Sequence, residues 1–437
     1  SVIMKNYKTI IAIFVFAATL LSAASCTNDY FNQERYEEII ESTFPVSNVD
    51  KYHDWNLMQS MYVSADLTAS GSDPYCVDVF DKNPKTGGAT KVASGTISGK
   101  GVFKFTMPID KVPTQLYAIA YNQNECVVDG MMPVTSNSIT VKSVAGKLYS
   151  LPSYPNISNA EYTYLFEETF PQCGDFDFND VVMGVSMEKN PKAINGVANY
   201  LDVTIRLRAV GASQPIAACM HLNGITADDV EPEFSMPQKE WDFYRYAIDF
   251  LVDPEGKLQE ARGGDVRIDL FNDAHFAMSG GALDETGTMV PRVYMNTKTD
   301  TIAKDWITMS EKVSTYRITF TNEGAYNDFT FADLDIFVIS SYNASYYEIH
   351  TSPFFGKRVV KDYPATIYGY PWALVVPDGN FKYPVEGVPI GRYSTDLSYY
   401  EGAYQRGQYS FGAWARNHSN KDAQVWYHYP AKNLVYE

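Results

Sequence analysis

Leu201-Asp202-Val203-Thr204-Ile205-Arg206-Leu207-Arg208 is the stretch whose reading decides the fold. Four aliphatic side chains alternate with four polar ones. In an extended chain the first set faces one side of a sheet and the second set the other, which is the pattern of a half-buried antiparallel strand. A helix would scatter both sets around its circumference. Val266-Arg267-Ile268-Asp269-Leu270 and Tyr316-Arg317-Ile318-Thr319-Phe320 repeat the alternation. Upstream, Val77 with Val79, then Phe103, Phe105 and Met107, then Leu116 to Tyr121 also read as strands. Turn-rich runs such as Asp81-Lys82-Asn83-Pro84 and Ser98-Gly99-Lys100-Gly101 separate them. Helical periodicity is confined to a short polar segment at 32–42, to 238–246 and to the final hundred residues. The expectation is an all-β body of two consecutive sandwich-like domains with a few short helices, the first over residues 46–150 and the second over 151–437.

Ahead of this body the chain carries an export signature. Lys5 and Lys8 flank an apolar run from Ile10 to Leu21, too short to span a bilayer, for which about 20 apolar residues are needed. Ala23-Ala24-Ser25-Cys26 follows, small residues before a cysteine, as a lipoprotein signal peptidase requires. Met4 reads as the natural start. Residues 1–25 are therefore read as a lipoprotein signal peptide, Cys26 as the lipidated residue, and 26–45 as an acidic tether ending in a short helix. Two or three acyl chains, at roughly 0.8 kcal/mol per buried methylene, make such an anchor very slow to leave the membrane. Thr27 in place of Asp favours the outer membrane, with the body on the cell surface or facing the periplasm.

The formal charge of −17, which becomes −19 once residues 1–25 are removed, argues against nucleic-acid partners, because these need a basic footprint to displace phosphate counterions. The 33 tyrosines suit strands, and they also suit binding faces. After Cys26, four cysteines remain at 76, 126, 173 and 219. No close pair exists for a zinc ribbon. Pairing within domains would join Cys76 to Cys126 and Cys173 to Cys219, while buried free thiols are the default for such residues.

The densest chemistry lies at Tyr164-Leu165-Phe166-Glu167-Glu168-Thr169-Phe170-Pro171-Gln172-Cys173-Gly174-Asp175-Phe176-Asp177-Phe178-Asn179-Asp180-Val181-Val182-Met183. In an extended chain Asp175, Asp177 and Asn179 would share one face, with Phe176 and Phe178 buried on the other. Calcium, which takes six to eight hard oxygens at about 2.3–2.6 Å, would compensate that charge, with Glu167, Glu168 or Asp180 completing the shell. An EF-hand does not fit, since Asp180 replaces its turn glycine and Ser186 its bidentate glutamate. The competing reading is an acidic turn that braces two strands through backbone N–H bonds without any metal.

The same run, from Phe166-Glu167-Glu168 through Gly174-Asp175-Phe176-Asp177-Phe178-Asn179-Asp180, resembles the signature of the LruC domain-containing bacterial lipoproteins. Asn272-Asp273-Ala274-His275, Tyr347-Glu348-Ile349-His350, Pro371-Trp372-Ala373-Leu374, Tyr383-Pro384-Val385-Glu386 and Phe411-Gly412-Ala413-Trp414-Ala415 extend the likeness in order, and the C-terminal region is similar to DUF4842. The resemblance implies an all-β envelope protein without known catalytic residues. Glu168 stands where relatives often carry Asp, and 351–368 lacks their acidic run.

Three more side chains are candidates for ligand contact: Tyr370 and Trp372 as an aromatic platform for a sugar, and His275 beside Asp273 as a metal or acid–base group. For each, a structural role in the core or at a strand end is the alternative. No nucleophile elbow, zinc-protease helix, phosphate loop or dinucleotide fingerprint occurs, so no enzyme is expected. The expected function is an outer-membrane, lipid-anchored envelope protein acting as a calcium-stabilised binding or structural module, with adhesion as one such role and a glycan or protein as its ligand. A carbohydrate-capturing lipoprotein is the alternative, and a glycan-active enzyme comes last.

Overall fold

The computed structural model describes residues 33–239, 259–260, 264–279, 311–342, 345–354, 370–393, 409–431 and 434–436. The signal peptide, Cys26, Thr27 and the segment 355–368 lie outside them. Helix α1 (Gln33–Thr43) belongs to a first unit, residues 1–43, and corresponds to the polar helix expected at the end of the tether. The rest, Phe44–Glu437, is a second compact unit that is mostly β. Among the described residues no helix is long and apolar enough to cross a membrane.

In the N-terminal part of the second unit two sheets face each other. One has the order β4-β1-β7, from β1 (Met58–Asp66), β4 (Lys100–Pro108) and β7 (Ser138–Lys142). The other has the order β6-β5-β2-β3-β8, from β2 (Pro74–Phe80), β3 (Thr90–Ser98), β5 (Gln115–Tyr121), β6 (Cys126–Pro133) and β8 (Ser158–Asn159). Met61, Val63, Phe103 and Phe105 from the first pack on Tyr75, Val77, Val79 and Leu116 from the second. Cys76 contacts Asp78 and Ser94, and Cys126 donates to the Val128 carbonyl, so the Cys76–Cys126 bridge does not form. Cys219 is likewise a thiol, directed at Asp269, which excludes its pairing with Cys173.

The C-terminal part is a second pair of sheets. The larger runs β13-β16-β11-β10-β9-β19, from β9 (Glu161–Phe166), β10 (Val181–Asn190), β11 (Asn199–Ala209), β13 (Ser235–Lys239), β16 (Lys312–Phe320) and β19 (Ala373–Val376). The smaller runs β14-β15-β12-β17-β18, from β12 (Ile216–Thr226), β14 (Gln259–Glu260), β15 (Asp265–Phe271), β17 (Leu334–Tyr342) and β18 (Ser345–Ile349). Strand β11 carries the alternation read from the sequence: Leu201, Val203, Ile205 and Leu207 are fully buried. Its polar face forms a cross-strand ladder, with Arg317 bound through two nitrogens to Asp202 at 2.7 and 2.6 Å and Thr204 bonded to Thr315 at 2.9 Å. Tyr164 and Tyr316 cross the core, their hydroxyls donating to the carbonyls of Leu334 and Leu270. Gln238 and Lys239 are strand rather than helix, and 240–246 lies outside the described residues.

Short helices fill the corners: α2 (Lys192–Asn195), α3 (Ala274–Ser279), α4 (Glu323–Asp328) and α5 (Phe411–Arg416). Asn327 of α4 clasps β3 as a further strand would. Its amide nitrogen donates to the Thr96 carbonyl at 2.9 Å, and its oxygen accepts from the Thr96 N–H at 2.8 Å. This exchange ties the first pair of sheets to the second.

Candidate metal centre

Residues 167–180 connect β9 to β10, and the pair Phe166 with Val181 closes the loop at its base. The run Asp175 to Asn179 is not extended, contrary to the simple alternation. Phe176 and Phe178 take left-handed backbone angles, φ 56° and 57°, which cost roughly 1–2 kcal/mol per residue. What holds them there is aromatic burial. Both rings are completely enclosed, and Phe176 lies 5.0 Å from Phe44 and 5.9 Å from Trp372 between ring centres. Its carbonyl also accepts from the Ile390 N–H at 2.8 Å. The chain therefore turns at each phenylalanine, and the acidic side chains of the loop separate into two groups.

The first group converges. Oxygens of Glu167, Asp175 and Asp177 lie within 4.8 Å of one another. Glu167 Oε1 accepts from the Phe178 N–H at 2.6 Å, while its Oε2 is buried with no hydrogen-bond partner. Asp177 accepts from the N–H groups of Asn179 at 3.1 Å and Gly387 at 2.8 Å. Thr169 Oγ1, absent from the sequence-level ligand set, is a second buried oxygen without a partner. A Cβ on Gly174 would collide with Glu167 Oε2 and would lie 2.7 Å from Thr169 Oγ1, so the two orphan oxygens border a space that only glycine leaves open.

The second group braces the loop. Glu168 receives the N–H groups of Ser213 at 2.8 Å and Gln214 at 2.9 Å, and Asp180 receives the Glu168 N–H at 2.6 Å. Asn179 donates through its side chain to the Pro384 carbonyl at 3.2 Å. Of the six predicted ligands, Glu167, Asp175 and Asp177 thus come together, and Glu168, Asn179 and Asp180 position the loop around them. The turn brace accounts for Glu168, Asn179 and Asp180 through their hydrogen bonds, and it leaves the convergence of Glu167, Asp175 and Asp177 unexplained.

Electrostatics mark the first group as under-compensated. Burial, then the charges of Asp180, Asp177 and Asp175, push the Glu167 carboxyl well above the usual range. Burial, then Asp175 and Glu386, raise Asp177 to about 8, and burial with Glu168 and Asp177 raises Asp180. A divalent cation would remove that penalty. Carboxylate and hydroxyl oxygens are the donors that calcium takes, so the residues fit the ion.

The other candidates have structural surroundings. Trp372 is fully buried and its indole N–H donates to the Gln172 carbonyl at 3.3 Å, while Tyr370 packs edge-on to Phe44 at 5.0 Å. They belong to the aromatic bed under the acidic loop, and Trp372 offers no surface platform for a sugar. His275 bonds to Asp273 at 2.9 Å and to the Ala212 carbonyl at 2.7 Å. His350 is enclosed between Asp335, at 3.0 Å, and Glu348, at 3.3 Å. Burial opposes charge on that ring, but the Asp335 carboxylate outweighs it and, with Glu348, holds His350 up to about 9.

None of the curated proteins is similar to the chain. A solved structure from Bacteroides ovatus, titled a "Putative lipoprotein", aligns with 83% of this chain and 98% of its own at 13% identity and a TM-score of 0.44. The family called DUF4842, a domain of unknown function, matches residues 196–427. That span begins just after β10 and includes Ser213, Trp372, Pro384, Gly387 and Ile390, which hold the acidic loop in place. It covers more than half of the sequence, and the chain belongs to the DUF4842 family.

Proposed function

We propose that this is a lipid-anchored outer-membrane protein, tethered through Cys26, whose β body serves a binding or structural role such as adhesion and is stiffened by calcium held at Glu167, Asp175 and Asp177. The role is non-catalytic. The observation that carries the calcium reading is the pair of orphaned buried oxygens, Glu167 Oε2 and Thr169 Oγ1, beside two further carboxylates and the gap at Gly174. Leaving such atoms unsatisfied costs about 1–3 kcal/mol each, and a hard cation would satisfy both.

Calcium bound to the folded chain alone would stabilise it by about 2.7 kcal/mol at a hundredfold excess over Kd. The test is the melting temperature of the EDTA-treated full chain in detergent, with and without calcium chloride. A rise of several degrees that Asp177→Asn abolishes is expected, and an unchanged melting temperature would refute the calcium reading. The anchor is tested separately by incorporation of radiolabelled palmitate, which Cys26→Ala should eliminate.

A further inference from the structure

A cavity of about 290 Å³ opens where the outer face of β2 and β5 meets the segment leading into the second pair of sheets. It shares no residue with the acidic loop. Its floor is Asp78, Phe80 and Tyr121, one wall is Tyr154, and the other is the ion pair of Lys91 with Glu188 at 3.2 Å. Small-molecule pockets span about 300–1,000 Å³, so this one admits a single ring rather than an extended chain.

The lining combines aromatic surface with unused hydrogen-bonding capacity of both signs. Tyr154 is half-buried and stands edge-on to Phe80, 6.2 Å between ring centres. Asp78 is almost fully enclosed, held by the Tyr121 hydroxyl at 3.0 Å and the Cys76 thiol at 3.2 Å. Each of its carboxylate oxygens keeps a further lone pair. Lys91 spends one of its three donors on Glu188 Oε1, and Glu188 Oε2 has no partner among the described residues. Asn159, beside Lys91 in the parallel β3–β8 pairing, has a side-chain amide with no partner among the described residues.

We infer that this cavity binds one pyranose residue of a glycan, with Tyr154 against the ring and Asp78, Glu188, Lys91 and Asn159 on its hydroxyls. A sugar ring presents an apolar face and an alternation of donors and acceptors, which is the complement of this lining. Two carboxylates against one ammonium select a neutral or amino sugar over an acidic one. The site replaces the expected platform at Tyr370 and Trp372, and it stands independently of the calcium reading.

The test is saturation-transfer NMR on the full chain in detergent, with calcium present, against methyl glucoside, methyl mannoside, methyl galactoside, glucosamine, N-acetylglucosamine and methyl glucuronide. At least one neutral or amino sugar should receive saturation. Its Kd should rise about tenfold in Glu188→Gln and in Tyr154→Ala, the loss of one charged hydrogen bond or of one ring contact. Both positions are partly exposed, and an unchanged melting temperature certifies the fold of each variant. Silence across the panel, binding that both variants leave intact, tightest binding of the glucuronide, or capture of peptides but no sugar would each overturn the assignment.

Discussion

His275 reaches the main chain of Ala212, its Nε2 donating to the carbonyl oxygen at 2.7 Å, while Nδ1 faces an oxygen of Asp273 at 2.9 Å. Both ring nitrogens thus have a partner within hydrogen-bond distance. Ala212 passes the contact on, since its N–H donates to the Asp180 carbonyl at 3.1 Å, and Asp180 receives the Glu168 N–H. His275 is thus a positioning residue for the acidic loop, linked through Ala212 and Asp180 to Glu168, the neighbour of Glu167. His275→Ala should lower stability by about 2–4 kcal/mol, because it strands a buried carboxylate and a carbonyl. Urea denaturation measures this, and calcium affinity should fall less than it does in Asp177→Asn.

Gly174→Ala separates metal binding from folding. The added methyl would enter the space bordered by Glu167 Oε2 and Thr169 Oγ1. The calcium-dependent rise in melting temperature should vanish, with the metal-free value within a few degrees of the parent. A full calcium response in this variant would show that the ion sits elsewhere.

Glu167→Gln should act with opposite signs in the two states. Without calcium it replaces a carboxyl that burial and its acidic neighbours push well above the usual range with a neutral amide, and raises stability by about 1 kcal/mol at pH 8, where the unfolded chain carries that carboxyl ionised. With calcium in excess it weakens binding, so the calcium response shrinks or disappears. Paired denaturation curves in EDTA and in calcium chloride give both signs in one experiment.

His350 supplies a pH dependence. Its ring is held up to about 9 in the folded protein, against about 6.5 in an unfolded chain. A raised value means that its contribution is complete below pH 6.5 and is lost as pH rises through 9. The loss is on the order of 3 kcal/mol. With calcium present throughout, stability should decline between pH 6.5 and 9, and His350→Gln should flatten that decline.

Much of the fold is legible in side-chain period. The alternation in β11, β15 and β16 predicts which residues enter the core, because a strand has only two faces and water selects between them. The acidic run shows where the chemistry lies, yet its internal geometry is not local information. Phe176 leaves the extended conformation as its ring packs on Phe44 and Trp372, distant in sequence, and the ring of Phe178 packs on Phe176 in turn. That displacement sends Asp180 and Glu168 toward Ser213 and leaves Glu167 with Asp177. Thr169 has no signature at all, since an isolated hydroxyl becomes informative only when its neighbours are known to leave it unpaired. Trp372 looked like a platform for the same reason: aromatic content does not reveal whether a ring meets solvent or Phe170, which lies 5.5 Å away.

The six-stranded sheet makes kinship and folding part company. Residues 196–427 are what matches the DUF4842 family, but β9 and β10 lie before that boundary and occupy the middle of the sheet, between β11 and β19. A fragment cut at residue 196 would expose β11 as a raw edge and leave β19 without its ladder partner, an invitation to pair with other chains. The matched segment is therefore not a self-sufficient one. Any dissection of this protein has to carry the strands on both sides of the acidic loop, and the loop travels with them.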